Sequence, residues 1–170
     1  MWGHSPFRNS SLISVPISLD LKLKNLSETK ELAETIAQCC SKIKSPCVIY
    51  LVGDLGVGKT TFAQFFIRFF GFDKVKSPTY TLVESYQNDQ ADIHHFDCYR
   101  LTDPEELEYI GIRDYLKSNS LQLIEWPELG KGSIANADIS IKLSGNGESR
   151  EAQILFESKL GRSIQKCVIG

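Results

Sequence analysis

The run Gly53-Asp54-Leu55-Gly56-Val57-Gly58-Lys59-Thr60 limits what this chain can fold into more than any other stretch of it. It has the spacing G-x-x-x-x-G-K-[ST], with Gly53, Gly58, Lys59 and Thr60 at the fixed positions. The glycines let the backbone turn at φ > 0, so that successive N–H groups converge on a phosphate. Lys59 brings a compact charge for the β- and γ-phosphates, and Thr60 brings a hydroxyl ligand for Mg²⁺. A buried strand is expected before the loop, at Cys47-Val48-Ile49-Tyr50-Leu51-Val52. A helix is expected after it, from Thr60 to Phe70, stopped by Gly71. Strand, glycine loop and helix are in the order that directs a helix dipole at bound phosphate.

The remaining composition sets bounds. A chain of 170 residues, 42% of them hydrophobic, can bury a real core, and one domain is expected over residues 17–170. A net charge of −2 gives no overall basic field, which argues against a protein that grips nucleic acid by itself. The cysteines (39, 40, 47, 98 and 167) form no C-x-x-C pair, so they read as free thiols in a reducing cytoplasm rather than as a zinc or redox motif. No run of apolar residues is long enough to span a membrane. The first 19 residues lack acids and hold one arginine, Arg8; residues 1–16 are expected to be a flexible N-terminal extension rather than a targeting segment.

Periodicity places the other elements. Ile17, Leu19, Leu21 and Leu23 alternate as in a half-buried strand. Ser27 is expected to cap a helix whose face is Leu32, Ile36, Cys40 and Ile43 and which Pro46 breaks. Tyr80–Tyr86 and Ile93–Asp97 read as a strand pair turned by Asn88-Asp89-Gln90. Asp103-Pro104-Glu105-Glu106 reads as a helix start with Asp103 as cap, and Gly111 interrupts that helix. Leu121–Glu125 reads as a strand ended by Trp126-Pro127, and residues 139–143 and 152–156 as a hairpin. The fold class expected is α/β: a mixed sheet of the P-loop NTPase type, flanked by helices and carrying antiparallel strands at its edge.

A phosphate loop needs an acid near the metal, and two stand at strand ends, Asp97 and Glu125. One is expected to bind Mg²⁺ while the other positions the attacking water; the residues alone do not say which. Thr79 and Thr81 lie where nucleotide switches often place a γ-phosphate sensor. His94 and His95 are neighbours in a strand, so at most one faces the site, and a structural role is expected of both. The phenylalanines of 62–70 read as core packing. No Asn-Lys-x-Asp marks a GTPase, no Leu-Ser-Gly-Gly marks a transporter ATPase, and no arginine-rich segment suits a kinase lid. Three readings stand: a regulatory ATPase, a small-molecule P-loop kinase, and a non-catalytic nucleotide-sensing scaffold.

The motifs 53–61, Lys-Ser-Pro-Thr-Tyr-Thr-Leu-Val-Glu (76–84), His-Phe-Asp-Cys-Tyr-Arg-Leu (95–101), Asp-Pro-Glu-Glu-Leu-Glu (103–108), Gly-Ile-Arg-Asp-Tyr (111–115) and Ile-Glu-Trp-Pro-Glu (124–128) occur in that order. Together they resemble the TsaE (YjeE) family, bacterial ATPases of tRNA threonylcarbamoyladenosine synthesis. Cys98 stands where that family usually has leucine. The resemblance implies a weak, partner-dependent ATPase that permits turnover of a TsaD–TsaB transferase complex and meets tRNA through it, without itself transferring the threonylcarbamoyl group. It implies that Gly53, Asp54, Leu55, Gly56, Val57, Gly58, Lys59, Thr60 and Thr61 cradle ATP. Thr60 and Glu125 would hold Mg²⁺, Asp97 would serve hydrolysis, Thr79 would sit in a switch-like loop, and Trp126 would lie near the nucleotide or a partner.

Overall fold

The computed structural model describes residues 17–170, so the N-terminal extension expected over 1–16 lies outside the described residues. The elements in chain order are β1 (Ile17–Leu23), α1 (Leu26–Cys40), β2 (Cys47–Val52), α2 (Lys59–Phe69), β3 (Val83–Gln87), β4 (Asp92–Asp97), α3 (Glu106–Tyr109), β5 (Ser120–Glu125), β6 (Ile139–Ser144), β7 (Arg150–Phe156) and α4 (Lys159–Ile169). Short 3₁₀ turns cover Ile112–Tyr115 and Pro127–Gly130.

All seven strands join one sheet in the order β1-β7-β6-β2-β5-β4-β3. The middle of the sheet is parallel: β6 with β2, β2 with β5, β5 with β4. Each flank is antiparallel, through β3 on one side and β7 and β1 on the other. A strand buried on both faces should lack polar alternation. Every residue of β5 is buried, and β2 reads Cys-Val-Ile-Tyr-Leu-Val. One face packs Ile49, Leu51, Ile93 and Leu123 against α1 and α2, with Phe62, Phe66 and Ile36 fully buried. The other face packs Val48, Phe96 and Ile124 with Leu107 of α3 and Ile112.

Several boundaries differ from those expected. Asn25, not Ser27, caps α1: its Oδ1 accepts from the Glu28 N–H at 3.0 Å, while Glu28 accepts from the Lys24 N–H at 2.7 Å. The two acceptors flank the serine and satisfy each other's end of the first turn, which leaves Ser27 inside the helix. The helix also closes before Pro46, where the Ser41 hydroxyl bonds back to the Gln38 carbonyl at 2.7 Å. The strand expected from Tyr80 begins at Val83, because Leu82 sits at φ 66° and its N–H bonds to the Pro78 carbonyl, which makes residues 78–82 a turn. Asp103 accepts from the Glu105 N–H but opens a turn; the helix itself starts at Glu106, whose carboxylate accepts from the N–H groups of Thr102 and Asp103.

The C-terminal helix was not expected at all. Its sequence, KLGRSIQKCVI, mixes good helix formers with a glycine in the first turn and β-branched residues near its end, so local propensity alone does not decide it. Tertiary contacts form it instead. Leu160, Ile164 and Val168 make an i, i+4, i+8 stripe on the core, and Ser158 caps the helix by accepting from Gly161 N–H at 2.9 Å. Ser158 also donates to Asp138 Oδ1 at 2.5 Å, while Asp138 Oδ2 accepts from the Val48 N–H at 2.9 Å, which ties helix to sheet. A second tie is covalent: Cys39 of α1 is disulfide-bonded to Cys167 of α4. This corrects the free-thiol reading for those two cysteines; Cys40, Cys47 and Cys98 are free and buried. Gly161 is where α4 comes closest to the sheet, since a Cβ there would lie 2.1 Å from the Asp138 carbonyl oxygen. Gly161→Ala should therefore lift the helix and cost about 1–3 kcal/mol, read as a lower urea midpoint.

Candidate functional site

The parallel strands β2, β5 and β4 end side by side, and the chemistry collects at their carboxyl ends. Beyond β2 the loop runs through Gly53 (φ 148°), Gly56 (φ 78°) and Gly58 (φ 109°), all left-handed. Gly53 also has no room for a side chain, because a Cβ would sit 2.4 Å from the Leu143 carbonyl oxygen of β6. The loop feeds α2, whose first turn has no side-chain cap and no acid, so nothing of its own neutralises its N-terminal N–H groups.

Lys59 is 4% exposed. Its Nζ donates to the carbonyls of Gly53 at 2.5 Å and Asp54 at 2.8 Å, and lies 4.2 Å from the centroid of the Trp126 ring. Burial lowers its pKa, against the opposing pull of the Glu125 and Asp97 carboxylates. Thr60 donates from Oγ1 to Glu125 Oε2 at 3.0 Å. Glu125, 2% exposed, offers its other oxygen to His95 Nε2 at 2.8 Å. Strand register sets Asp97 directly beside Glu125. Asp97 Oδ1 accepts from the Tyr99 N–H at 3.0 Å. Burial raises the Asp97 pKa and the neighbouring Glu125 charge raises it further, with the Tyr99 N–H working the other way.

A cleft of about 400 Å³ opens over these groups. Leu55, Gly56, Gly58, Lys59, Thr60, Thr61, Thr79, Asp97, Glu125 and Trp126 all line it. Three residues of the loop do not: the carbonyls of Gly53 and Asp54 hold Lys59, and Val57 faces a second cleft. Thr79 reaches the cleft through the turn before β3, whereas Thr81 turns away to Glu84 at 2.8 Å. Trp126 holds φ 53°, a costly conformation for a bulky residue and one that clusters at functional sites.

Sequence reasoning missed four residues. Tyr99 and Arg100 line the same cleft, Tyr99 packing on Trp126 at 4.9 Å and Arg100 stacking on Tyr80 at 4.6 Å. Both come just after Asp97 in the chain, and a strand-end acid signals that the next residues can also face the site. Arg150 supports the loop from β7: its Nε donates to the Val57 carbonyl at 2.6 Å and its Nη1 to Gly147 and Ser149. No local pattern marks it, since the contact joins residues far apart in sequence. The fourth is His95. The second cleft, about 550 Å³, shares Gly56, Gly58 and Thr61 with the first and is lined further by Asn25, Ser27, Leu143 and Arg150.

The chain matches known proteins in sequence and in fold. Residues 23–154 match a family described as "Threonylcarbamoyl adenosine biosynthesis protein TsaE". A Haemophilus influenzae protein named "tRNA threonylcarbamoyladenosine biosynthesis protein TsaE" is 47% identical over 118 residues, which is 69% of this chain and 75% of that one. A Bacillus subtilis protein of the same name is 32% identical over 144 residues, 84% of this chain and 87% of its own. In fold, the crystal structure of Bacillus subtilis YdiB superposes with a TM-score of 0.75 at 23% identity, covering 91% of this chain and 96% of that one.

Proposed function

This chain belongs to the TsaE family, whose role is in tRNA threonylcarbamoyladenosine biosynthesis, and from that premise we propose that it binds Mg²⁺·ATP in the glycine loop and hydrolyses it to permit turnover of a TsaD–TsaB-type transferase complex. The observation that carries this reading is the Thr60–Glu125 hydrogen bond with Asp97 one strand away, at the mouth of a glycine loop. A hydroxyl and a carboxylate are hard oxygen donors of the kind Mg²⁺ takes, alongside phosphate and water. When bound, Mg²⁺ neutralises charge on the β- and γ-phosphate oxygens.

The residues divide the remaining work. Lys59 trades the Gly53 and Asp54 carbonyls for phosphate oxygens, and the α2 N–H groups add their dipole. Asp97 orients the attacking water and takes up its proton, a task that a raised pKa suits. Thr79 meets the γ-phosphate side. The nucleoside half lies in the second cleft, which the loop residues connect to the first. tRNA is met through the partner complex, in keeping with a net charge of −2. Among the described residues no helix is long and apolar enough to cross a membrane.

The test is phosphate release from Mg²⁺·ATP by the full chain, alone and with the transferase partners and tRNA. Slow release alone that changes with the partners supports the proposal; release indifferent to them, together with ATP-dependent phosphorylation of a metabolite, supports a kinase instead. Lys59→Ala should weaken nucleotide binding by about 10- to 100-fold, from the loss of about 1.5–3 kcal/mol in charge-assisted contact. Quenching of Trp126, which stacks under Lys59, gives the readout. Unchanged affinity would remove Lys59 from the phosphate site.

A further inference from the structure

The strand alternation of β4 sends its two histidines to opposite faces. His94 joins the α3 side, where its Nδ1 lies 2.8 Å from Ser85 Oγ, its Nε2 3.0 Å from Asp92 Oδ1, and its ring stands edge-on to Tyr115 at 4.8 Å. Each of its nitrogens has a polar atom within 3.0 Å. His95 differs. It is fully buried on the same face as Ile93 and Leu123, and of its two nitrogens only Nε2 has a partner, Glu125 Oε1. Nδ1 is buried with none.

A carboxylate only accepts, so Nε2 is the donor in the His95–Glu125 hydrogen bond. An apolar side chain would suit the layer formed by Ile93 and Leu123 and would bring no unpaired nitrogen of its own, but would leave Glu125 Oε1 without this partner. The imidazole is explained by its one bond. That bond controls the rotation of the Glu125 carboxylate: with Oε1 held by His95, Oε2 is presented to Thr60 at 3.0 Å.

We propose that His95 is a positioning residue, which pre-sets the Glu125 carboxylate beside the Thr60 hydroxyl so that a divalent cation meets both donors already arranged. Buried carboxylates that ligate metals are commonly held this way, and loss of the holding partner typically costs about 10- to 100-fold in metal affinity. The inference rests on the Mg²⁺-nucleotide reading of the site.

The test compares His95→Gln, whose amide nitrogen falls near the Nε2 position, with His95→Asn, which is polar but too short to reach Glu125. Affinity for a non-hydrolysable ATP analogue is measured on the full chain in EDTA and across a Mg²⁺ titration. The expected result is a wild-type Mg²⁺ midpoint for Gln, a midpoint raised about 10- to 100-fold for Asn, and unchanged affinity in EDTA for both. In a Glu125→Ala background, His95→Asn should add nothing. An unshifted midpoint in His95→Asn, an equal loss of affinity in EDTA, or the same shift without Glu125 would each overturn the proposal. If the Asn variant does not fold, a raised midpoint in the folded Gln variant overturns it and a wild-type midpoint supports it. A wild-type chain whose nucleotide binding ignores Mg²⁺ would overturn the site reading itself, and this inference with it.

Discussion

Asp97→Asn should abolish hydrolysis while leaving nucleotide binding intact and the protein more stable. The loss expected is about 10²- to 10⁴-fold in turnover, the usual contribution of a positioned base. Binding should survive because, in the proposed reading, phosphate is held by the loop and Lys59, and Mg²⁺ by Thr60 and Glu125, rather than by Asp97. Stability follows from the direction of its pKa. A carboxyl whose folded pKa lies above its unfolded value binds protons more readily in the native state, so it costs stability once pH rises past the ordinary carboxylate range. Neutral asparagine keeps the acceptor for the Tyr99 N–H and relieves both the burial cost and the repulsion from Glu125. The thermal midpoint should rise by about 2–4 °C for each kcal/mol relieved. In the wild-type chain the same direction of shift predicts that hydrolysis falls away on the acid side at a higher pH than an ordinary aspartate would give. A variant that hydrolyses ATP at the wild-type rate would end the case for Asp97 as base; one that loses nucleotide would place Asp97 in binding instead.

Reducing the Cys39–Cys167 bond should produce the largest change in stability. It closes a loop across a sequence separation of 128 residues and joins the end of α1 to the last turn of α4. Native disulfides typically contribute about 2–4 kcal/mol, more for long loops in the chain-entropy account. For a chain of this size that is a drop of about 5–15 °C in the thermal midpoint. Cys167→Ser should match the reduced wild type and be indifferent to reductant. The other thiols should be silent in the native state: burial pushes Cys98 up to about 12, and a hydrogen bond with Cys40, then burial, pushes Cys47 up as well. Identical melting of oxidised and reduced wild type would show that α4 is held by Leu160, Ile164, Val168 and the Asp138 contacts alone.

What the sequence made legible was whatever had a short period or a fixed spacing. The glycine loop fixed a strand before it and a helix after it, alternation located β1 and β6, and turn residues between strand-like runs located β4 and β7. Asp97 and Glu125 were identifiable as site acids because each ends an apolar run. Capping was misplaced at Ser27 because several residues near Asn25 were chemically able to cap, and the choice depended on where Glu28 reached back. The helix α4 carries a local signal, the Leu160, Ile164 and Val168 stripe behind the Ser158 cap, that the sequence reading did not use; what the sequence does not show is its ties to Asp138 and α1. Arg150 and His95 were passed over for a related reason: each is defined by a single partner, the Val57 carbonyl or the Glu125 carboxylate, that is remote in sequence.

The register of β4 against β5 works as a ruler for the acid pair. Asp97 and Glu125 are adjacent rungs of one hydrogen-bonded ladder, with strands spaced about 4.8 Å apart. Neither backbone can retreat from the other without breaking the sheet at its most buried strand. Lys59 is the opposite kind of part: a long chain whose charge rests on two loop carbonyls and can exchange them for other oxygens. The site therefore pairs a rigid acidic floor with a long cationic arm held only by loop carbonyls, so in the proposed cycle a rearrangement would fall on the arm and the loop rather than on the sheet.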